Sequence, residues 1–403
     1  MAKHEDYFLG NPKGQQFYRV LGLIMTFTAT GDKSLWGYST PNLFMRCNRY
    51  LVIKAAPITF VSQIVYLFLN HKELTFGTLG IMLSIMPVTF LVNTNVFSAR
   101  FDVYTKTMKD FMTRIHIYNY QDQGEFVKDN LRIIERLTRW TFYYLLVFLM
   151  MDWAAWMSIT CWNNYKNREL IRNKTMRLET VLYLVVPFDY EYDFNHWIMY
   201  HSFTAYLVWS GCIIIVIFNT LNFMFVYHLI GHINILKYKL KTSFTGECSD
   251  VEVRLKLVDV IKYHSFIISI FREMENAFGL NVTANYFYNL IADSLLMYQV
   301  MVGDKGSLVI YGLMFVVYVG CLILMSLVLE EIRRQSDGLA ALVYYLPWEN
   351  MSVSNQKMII MLLGRVQPPL VFKAMGGLSA GVSPMISIIK STFSYYVMLK
   401  SGM

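Results

Sequence analysis

The sequence predicts an all-α membrane protein with seven transmembrane helices, a cytosolic N-terminus and an extracellular C-terminus. Three observations lead there: too few charges for a water-facing surface, seven apolar runs of spanning length, and a cation excess in alternate loops. Of 403 residues, 55% are hydrophobic, 16% aromatic and only 16% charged, and mean hydropathy is +0.37. Soluble globular chains carry about 25% charged residues. A lipid-facing surface removes the need for the missing ones.

A spanning helix needs about 20 mostly apolar residues. In chain order the runs are Tyr50–Leu69, Thr75–Phe97, Thr138–Trp162, Trp197–Tyr227, Phe266–Val302, Ser307–Leu329 and Met375–Leu399. The fifth is interrupted by Arg272, Glu273, Glu275 and Asp293; the last has Gly and Pro in its first half and Lys390 within it. The earlier apolar stretch Leu21–Thr30 is about half the length required. It follows a polar segment with acids and gives no signal peptide, so the N-terminus is expected to stay in the cytosol.

Loop charge sets the orientation. With the N-terminus inside, the inner segments 1–49, 98–139, 228–265 and 330–374 hold 25 Lys and Arg, and the outer segments hold 8. The positive-inside rule then places the C-terminus outside, opposite to a G-protein-coupled receptor. No Asp/Glu-Arg-Tyr follows the third span. The outer segment Asn163–His196 ends in PFDYEYDFNHW, read either as a folded lid on the outer helix ends or as an interfacial aromatic belt. Of the sequons at Asn173, Asn281 and Asn350, only Asn173 falls in an outer loop, which makes it the candidate glycosylation site.

The net charge of +8 belongs to those inner loops. No basic tract of the kind that binds nucleic acid appears. Five scattered cysteines without CxxC spacing support neither a disulfide framework nor a zinc site. There is no HExxH, GxSxG or GxxxxGK[ST], so nothing indicates an enzyme, a cofactor or a catalytic residue. His228 and His232 form an i,i+4 pair that lacks a third metal ligand, and they are read as an interfacial pair, not a metal site.

Aromatic and Met residues in the outer halves of the spans are the informative feature. Tyr311, Met314, Phe315 and Tyr318 share one helical face at i, i+3, i+4, i+7 spacing. The third span offers Trp153, Trp156 and Met157, the fourth Phe203, Tyr206 and Leu207, and the second Met86 and Phe90. Converging in a bundle, they would line a small apolar ligand pocket with a few polar handles; helix–helix packing is the plainer reading for each alone. Asp152, Asp293 and Lys390 are charges within apolar spans, where an ionisable group is costly and marks a candidate functional position. Asp152 stands beside the third-span stripe, and Lys390 is read as facing a water-filled vestibule.

The C-terminal third carries SDGLAALVYYLPWENM, MLLGRVQPPLVFKAMGG and ISIIKSTFSYYVMLKSGM. In order and spacing it resembles the insect odorant-receptor family: Ser336, Tyr344 and Trp348, then Arg365, Gln367 and Pro369, then Gly376 or Gly377, then Lys390, Ser394 and Tyr395. Where the family often has an aromatic early in the last helix, this chain has Ser383, Pro384 and Met385. The resemblance implies a ligand-specific tuning subunit of a tetrameric, ligand-gated, non-selective cation channel in the plasma membrane of sensory neurons. It would assemble with a shared co-receptor and open on binding a small apolar volatile, an odorant or pheromone, in a pocket among the second to sixth helices. It implies one membrane domain over 1–403: a cytosolic segment 1–49, ligand-binding helices in 50–329, a cytosolic inter-subunit anchor in 330–374, and a pore-lining helix with a short tail in 375–403, the last helix being split between anchor and pore. Ser336, Tyr344, Trp348, Arg365 and Gln367 become candidates for the anchor; Lys390, Ser394, Tyr395, Met398 and Leu399 become candidates for the pore. A gustatory-type receptor remains the nearest alternative, with a G-protein-coupled receptor or a transporter behind it.

Overall fold

The computed structural model describes residues 6–74, 76–244, 249–302 and 305–401; the side chain of Leu399, a pore candidate, lies outside the described residues. Seven helices of 20 residues or more dominate them. They are α2 (Leu43–Asn70), α3 (Phe76–Ser98), α5 (Glu125–Lys166), α7 (Phe194–Thr242), α8 (Asp250–Val302), α9 (Lys305–Tyr344) and α11 (Val382–Ser401). Shorter helices are α1 (Gln16–Phe27), α4 (Asp102–Asp110), α6 (Arg168–Arg172) and α10 (Val353–Val366). Among the described residues the sole β-type pairing is an isolated bridge between Lys373 and Ser379.

Five of the long helices, α2, α3, α5, α7 and α9, are long and apolar enough to cross a membrane. At 1.5 Å per residue, α5 is about 63 Å long and α7 about 74 Å, far more than the roughly 30 Å of a hydrocarbon core. The excess projects beyond it at the polar ends of the helices. Two of the charges that interrupt the fifth apolar run are partnered: Glu273 of α8 pairs with Arg114 at 2.5 Å and Glu275 accepts the Lys373 backbone N–H at 2.7 Å, whereas Asp293 is buried with an unpartnered Oδ1.

Helix α7 is apolar on every face, the mark of a helix surrounded by protein. In its most apolar stretch 89% of residues are buried, against 22% for α2. The others pack around α7, with α5, α8 and α9 along its length and α2 on the outer flank. Polar pairs tie neighbours together inside: Asn281 of α8 donates to Asn95 of α3 at 2.5 Å, and Thr89 of α3 donates to Gln63 of α2 at 2.7 Å. Asn281 is fully buried, so its sequon is closed to a glycan; Asn173 caps the end of α6 on the surface.

The structure corrects one boundary. Residues Met375–Gly381 do not begin the last helix. They belong to a tight hairpin, Phe372–Ala380, closed by Ala374 N–H to Leu378 O at 2.7 Å and Ala380 N–H to Phe372 O at 2.8 Å. Gly376 and Gly377 have φ of 83° and 80°, a left-handed conformation that glycine adopts without penalty. Pro384 then falls in the first turn of α11, where a missing N–H costs no helical bond.

Beneath the bundle, α1 is held by a buried cluster. The Tyr18 hydroxyl donates to Glu135 Oε1 at 2.6 Å and lies 3.0 Å from His116 Nε2. His116 Nε2 is 3.1 Å from the same carboxylate oxygen, and Arg139 approaches the other at 3.5 Å. A hydrogen bond to a charged group is worth about 1.5–3 kcal/mol. Tyr18→Phe is therefore expected to lower the thermal stability of the purified chain by about that much, read as a fall in Tm. An unchanged Tm would show that the cluster does not hold α1.

Candidate functional site

Toward the end of the bundle that carries the 175–193 segment lies a chamber of about 100 Å³. Helix α2 supplies Val52, Ala55, Ala56 and Thr59; α3 supplies Ile85, Val88, Thr89 and Val92. Both sets follow i, i+3, i+4, i+7, one continuous helical face each. Helix α5 contributes Asp152, Trp153 and Trp156, α7 contributes Tyr206, Leu207, Ser210, Gly211 and Cys212, and α9 contributes Met314 and Tyr318.

The outer segment forms the roof. Val181 and Leu182 reach down to the chamber, and the segment is fixed from several sides. Tyr200 and Tyr190 stack with centroids 3.9 Å apart, the Tyr200 hydroxyl donates to Leu182 O at 2.7 Å, and Tyr66 of α2 donates to Glu191 at 2.5 Å. Of the two readings of the aromatic cluster, the folded lid describes this geometry. Above it lies a second, polar-rimmed cavity of about 710 Å³, bordered by Glu73, Arg177, Glu179 and Glu191. Trp156 lines both cavities and forms the partition between them, with Tyr311 edge-on at 5.8 Å.

Of the thirteen residues proposed from the sequence, Asp152, Trp153, Trp156, Tyr206, Leu207, Met314 and Tyr318 come together around the chamber. Tyr311 borders the upper cavity instead. Phe203 faces an outer groove between α2 and α7, which shares Leu51, Ala55, Thr59 and Leu207 with the chamber. Phe90 is 37% exposed and packs between Phe60 and Phe287. Met86, Met157 and Phe315 do not line the chamber. On α3 the face that does is the branched aliphatic one, turned away from the Met86–Phe90 stripe. The small-residue face of α2 carries no aromatic signal, yet its 52, 55, 56, 59 spacing is readable in the sequence. No residue of α8 lines the chamber, although the family resemblance had included the fifth span.

Polar handles hold most of the lining in place. Trp153 Nε1–H donates to Ala205 O at 3.1 Å, Tyr206 donates to Asn48 at 2.6 Å, and Asn93 donates to Ala56 O at 3.1 Å.

At the other end of the bundle, the two histidines part company. His232 Nδ1 lies 2.7 Å from the Tyr263 hydroxyl, and its Nε2 lies 2.7 Å from Ile115 O. His228 instead joins His116 and Glu135, whose nearest ligand atoms all lie within 4.8 Å of one another. That spacing invites a metal, but the tautomers oppose it. His228 Nδ1 accepts the Ile117 backbone N–H and His116 Nδ1 accepts that of Tyr118. A neutral ring with a proton-free Nδ1 carries its proton on Nε2, the atom a metal would need. The cluster reads as a hydrogen-bonded clamp.

In the C-terminal region Ser336 is buried; it accepts the Leu370 N–H at 2.8 Å and so ties the segment after α10 to α9. Tyr344, Trp348, Arg365 and Gln367 are exposed. On α11, Ser383, Ser387, Lys390, Ser394 and Met398 all lie within about 80° of one another along one exposed face at 100° per residue. Tyr395 points about 140° away from Lys390 and is itself 46% exposed.

A model of the family described as 7tm Odorant receptor matches residues 82–393. Odorant receptor 13a of Drosophila melanogaster is 20% identical over 240 residues, 54% of this chain and 56% of that protein. Odorant receptor 19a of the same organism is 23% identical over 164 residues, 40% of each chain. The chain thus spans about half the length of the curated relatives it matches. Among solved structures, the insect olfactory receptor OR5 from Machilis hrabei superposes with a TM-score of 0.78 at 13% identity, covering 95% of this chain and 97% of that one. Its complex with eugenol gives 0.76 at 13% identity, covering 96% and 98%. At that identity the likeness shows the fold alone.

The chamber can be tested by filling it. A Cβ added at Gly211 meets only Val92 Cγ2, at an ordinary 3.4 Å, and alanine favours a helix over glycine by about 1 kcal/mol. Gly211→Ala is expected to leave Tm unchanged or higher while weakening the binding of small apolar molecules; unaltered binding would place their site elsewhere.

Proposed function

The chain belongs to the insect odorant-receptor family, and from that premise we propose that it is the ligand-specific subunit of a heteromeric, ligand-gated, non-selective cation channel. It is a multi-pass membrane protein of a receptor family, not an enzyme. In this reading it sits in the plasma membrane of sensory neurons, N-terminus inside, assembled with the shared co-receptor, most simply as a tetramer. The observation that carries the proposal is the mostly apolar chamber among α2, α3, α5, α7 and α9. A compact apolar volatile fits there, and the solved relative from Machilis hrabei has been determined in complex with eugenol. A chamber of about 100 Å³ favours a compact odorant over a long pheromone chain.

The mechanism is a population shift. The ligand opens the channel to the extent that it binds the open arrangement more tightly than the closed one. The pore is assigned to the exposed face of α11 that carries Lys390, Ser394 and Met398. Tyr395, about 140° around the helix from Lys390, is exposed on a different face. The anchor between subunits is assigned to the exposed Tyr344, Trp348, Arg365 and Gln367, with Ser336 supporting that region from inside the chain.

Trp156→Ala and Tyr311→Ala are expected to change the potency or rank order of odorants in currents recorded with the co-receptor, with surface assembly retained. Loss of assembly in both would assign these residues to packing. Lys390→Met is expected to change conductance or ion selectivity. Single-channel records identical to wild type would remove Lys390 from the pore.

A further inference from the structure

Three buried polar atoms in chamber-lining residues have no hydrogen-bond partner: Asp152 Oδ1, Ser210 Oγ and Trp156 Nε1. Each residue is 5% exposed. They stand out because other polar side chains of the lining are paired: Tyr206 with Asn48, Thr89 with Gln63 and Asn93 with the Ala56 carbonyl. Buried polar groups are nearly always paired, and each exception calls for an explanation. An unpaired carboxylate oxygen inside an apolar span is the costliest of the three.

We infer that the chamber selects compact molecules bearing a single hydroxyl group. The inference rests on the chamber being the ligand site and names the chemistry it accepts. All three residues line the one chamber, Asp152 and Trp156 one helical turn apart on α5: a carboxyl oxygen accepts, the indole N–H donates, and the serine hydroxyl does either. A hydroxyl group donates once and accepts up to twice, so this one small head group can satisfy an acceptor and a donor together. An ether or ketone only accepts and offers no donor to the Asp152 oxygen. An alkylammonium only donates, and it has to shed its full hydration to enter a mostly apolar space. The rest of the ligand is apolar and small. A dry cavity of about 150 Å³ just holds benzene, and this chamber is about 100 Å³. A short-chain alcohol fits with little expansion.

The test uses three probes of equal heavy-atom count, 1-pentanol, butyl methyl ether and hexane, with the purified full-length chain in lipid nanodiscs and binding followed by saturation-transfer NMR. The alcohol is expected to bind about three- to tenfold more tightly than the ether, the usual weight of one hydrogen bond. Asp152→Leu should abolish that advantage and leave hexane unaffected. Ser210→Ala should reduce it. Asp152→Asn, which keeps the shape and an acceptor oxygen, should show an intermediate preference and covers the case in which the Leu variant fails to fold. Equal affinity for alcohol and ether in the wild type, or a preference that survives both Asp152→Leu and Ser210→Ala, overturns the inference. Currents recorded with the co-receptor separate the two readings. Alcohol-selective binding without evoked current leaves this inference standing and removes the channel proposal. Absence of binding by all three probes overturns this inference, and the evoked currents alone decide the channel proposal.

Discussion

Everything in this structure is arranged around the burial of α7. A 49-residue helix without a polar face is a poor surface helix, and the other elements cover its most apolar stretch, while Ile198, Met199 and Phe203 near its start stay exposed. Covering its outer half brings α2, α3, α5 and α9 together and leaves the chamber between them. Covering its inner half brings α1, the 111–123 segment and α5 around His228 and His232. One constraint on one helix thus sets the position of both special regions of the chain.

The two regions solve the polar-group problem in opposite ways. At one end Tyr18, His116, Glu135 and Arg139 share one network, and His232 is bonded through both nitrogens, although His228 Nε2 and Arg139 Nε have no partner. A network of this kind rigidifies what it joins. At the other end the lining holds unmatched atoms around open space. The candidate ligand chamber and the network that pins the helices therefore lie apart along one axis.

Much of the fold could be read directly from the chain. Low charge, seven apolar runs and cation-rich alternate segments led to an all-helical membrane protein, and five of the runs reappear as long apolar helices. What was hidden depends on contacts across the chain. The first half of the last run reads as helix, yet the hairpin at Phe372–Ala380 claims it, because Gly376 and Gly377 make the tight turn and Ser336 and Tyr286 receive the backbone on either side. In the chamber, residues such as Trp153, Trp156 and Tyr318 were visible because bulky side chains announce a stripe. Ala55, Ala56 and Gly211 were not, since a cavity is built as much by small residues that leave room as by large ones that fill it. The small-residue spacing on α2 was present in the sequence, but aromatic periodicity drew attention to Met86 and Phe90, on the wrong face of α3.

The length of α7 has a mechanical consequence. Its outer residues line the chamber and its inner residues lie in the polar layer, with no break in the helix between them. An unbroken helix behaves as a stiff rod, so a rotation at one end becomes a displacement at the other. Over about 74 Å, a tilt of about 2° moves the far end by roughly 2.6 Å, half a helical turn, which is enough to change which side chains meet. The molecule therefore carries a long lever arm through its centre.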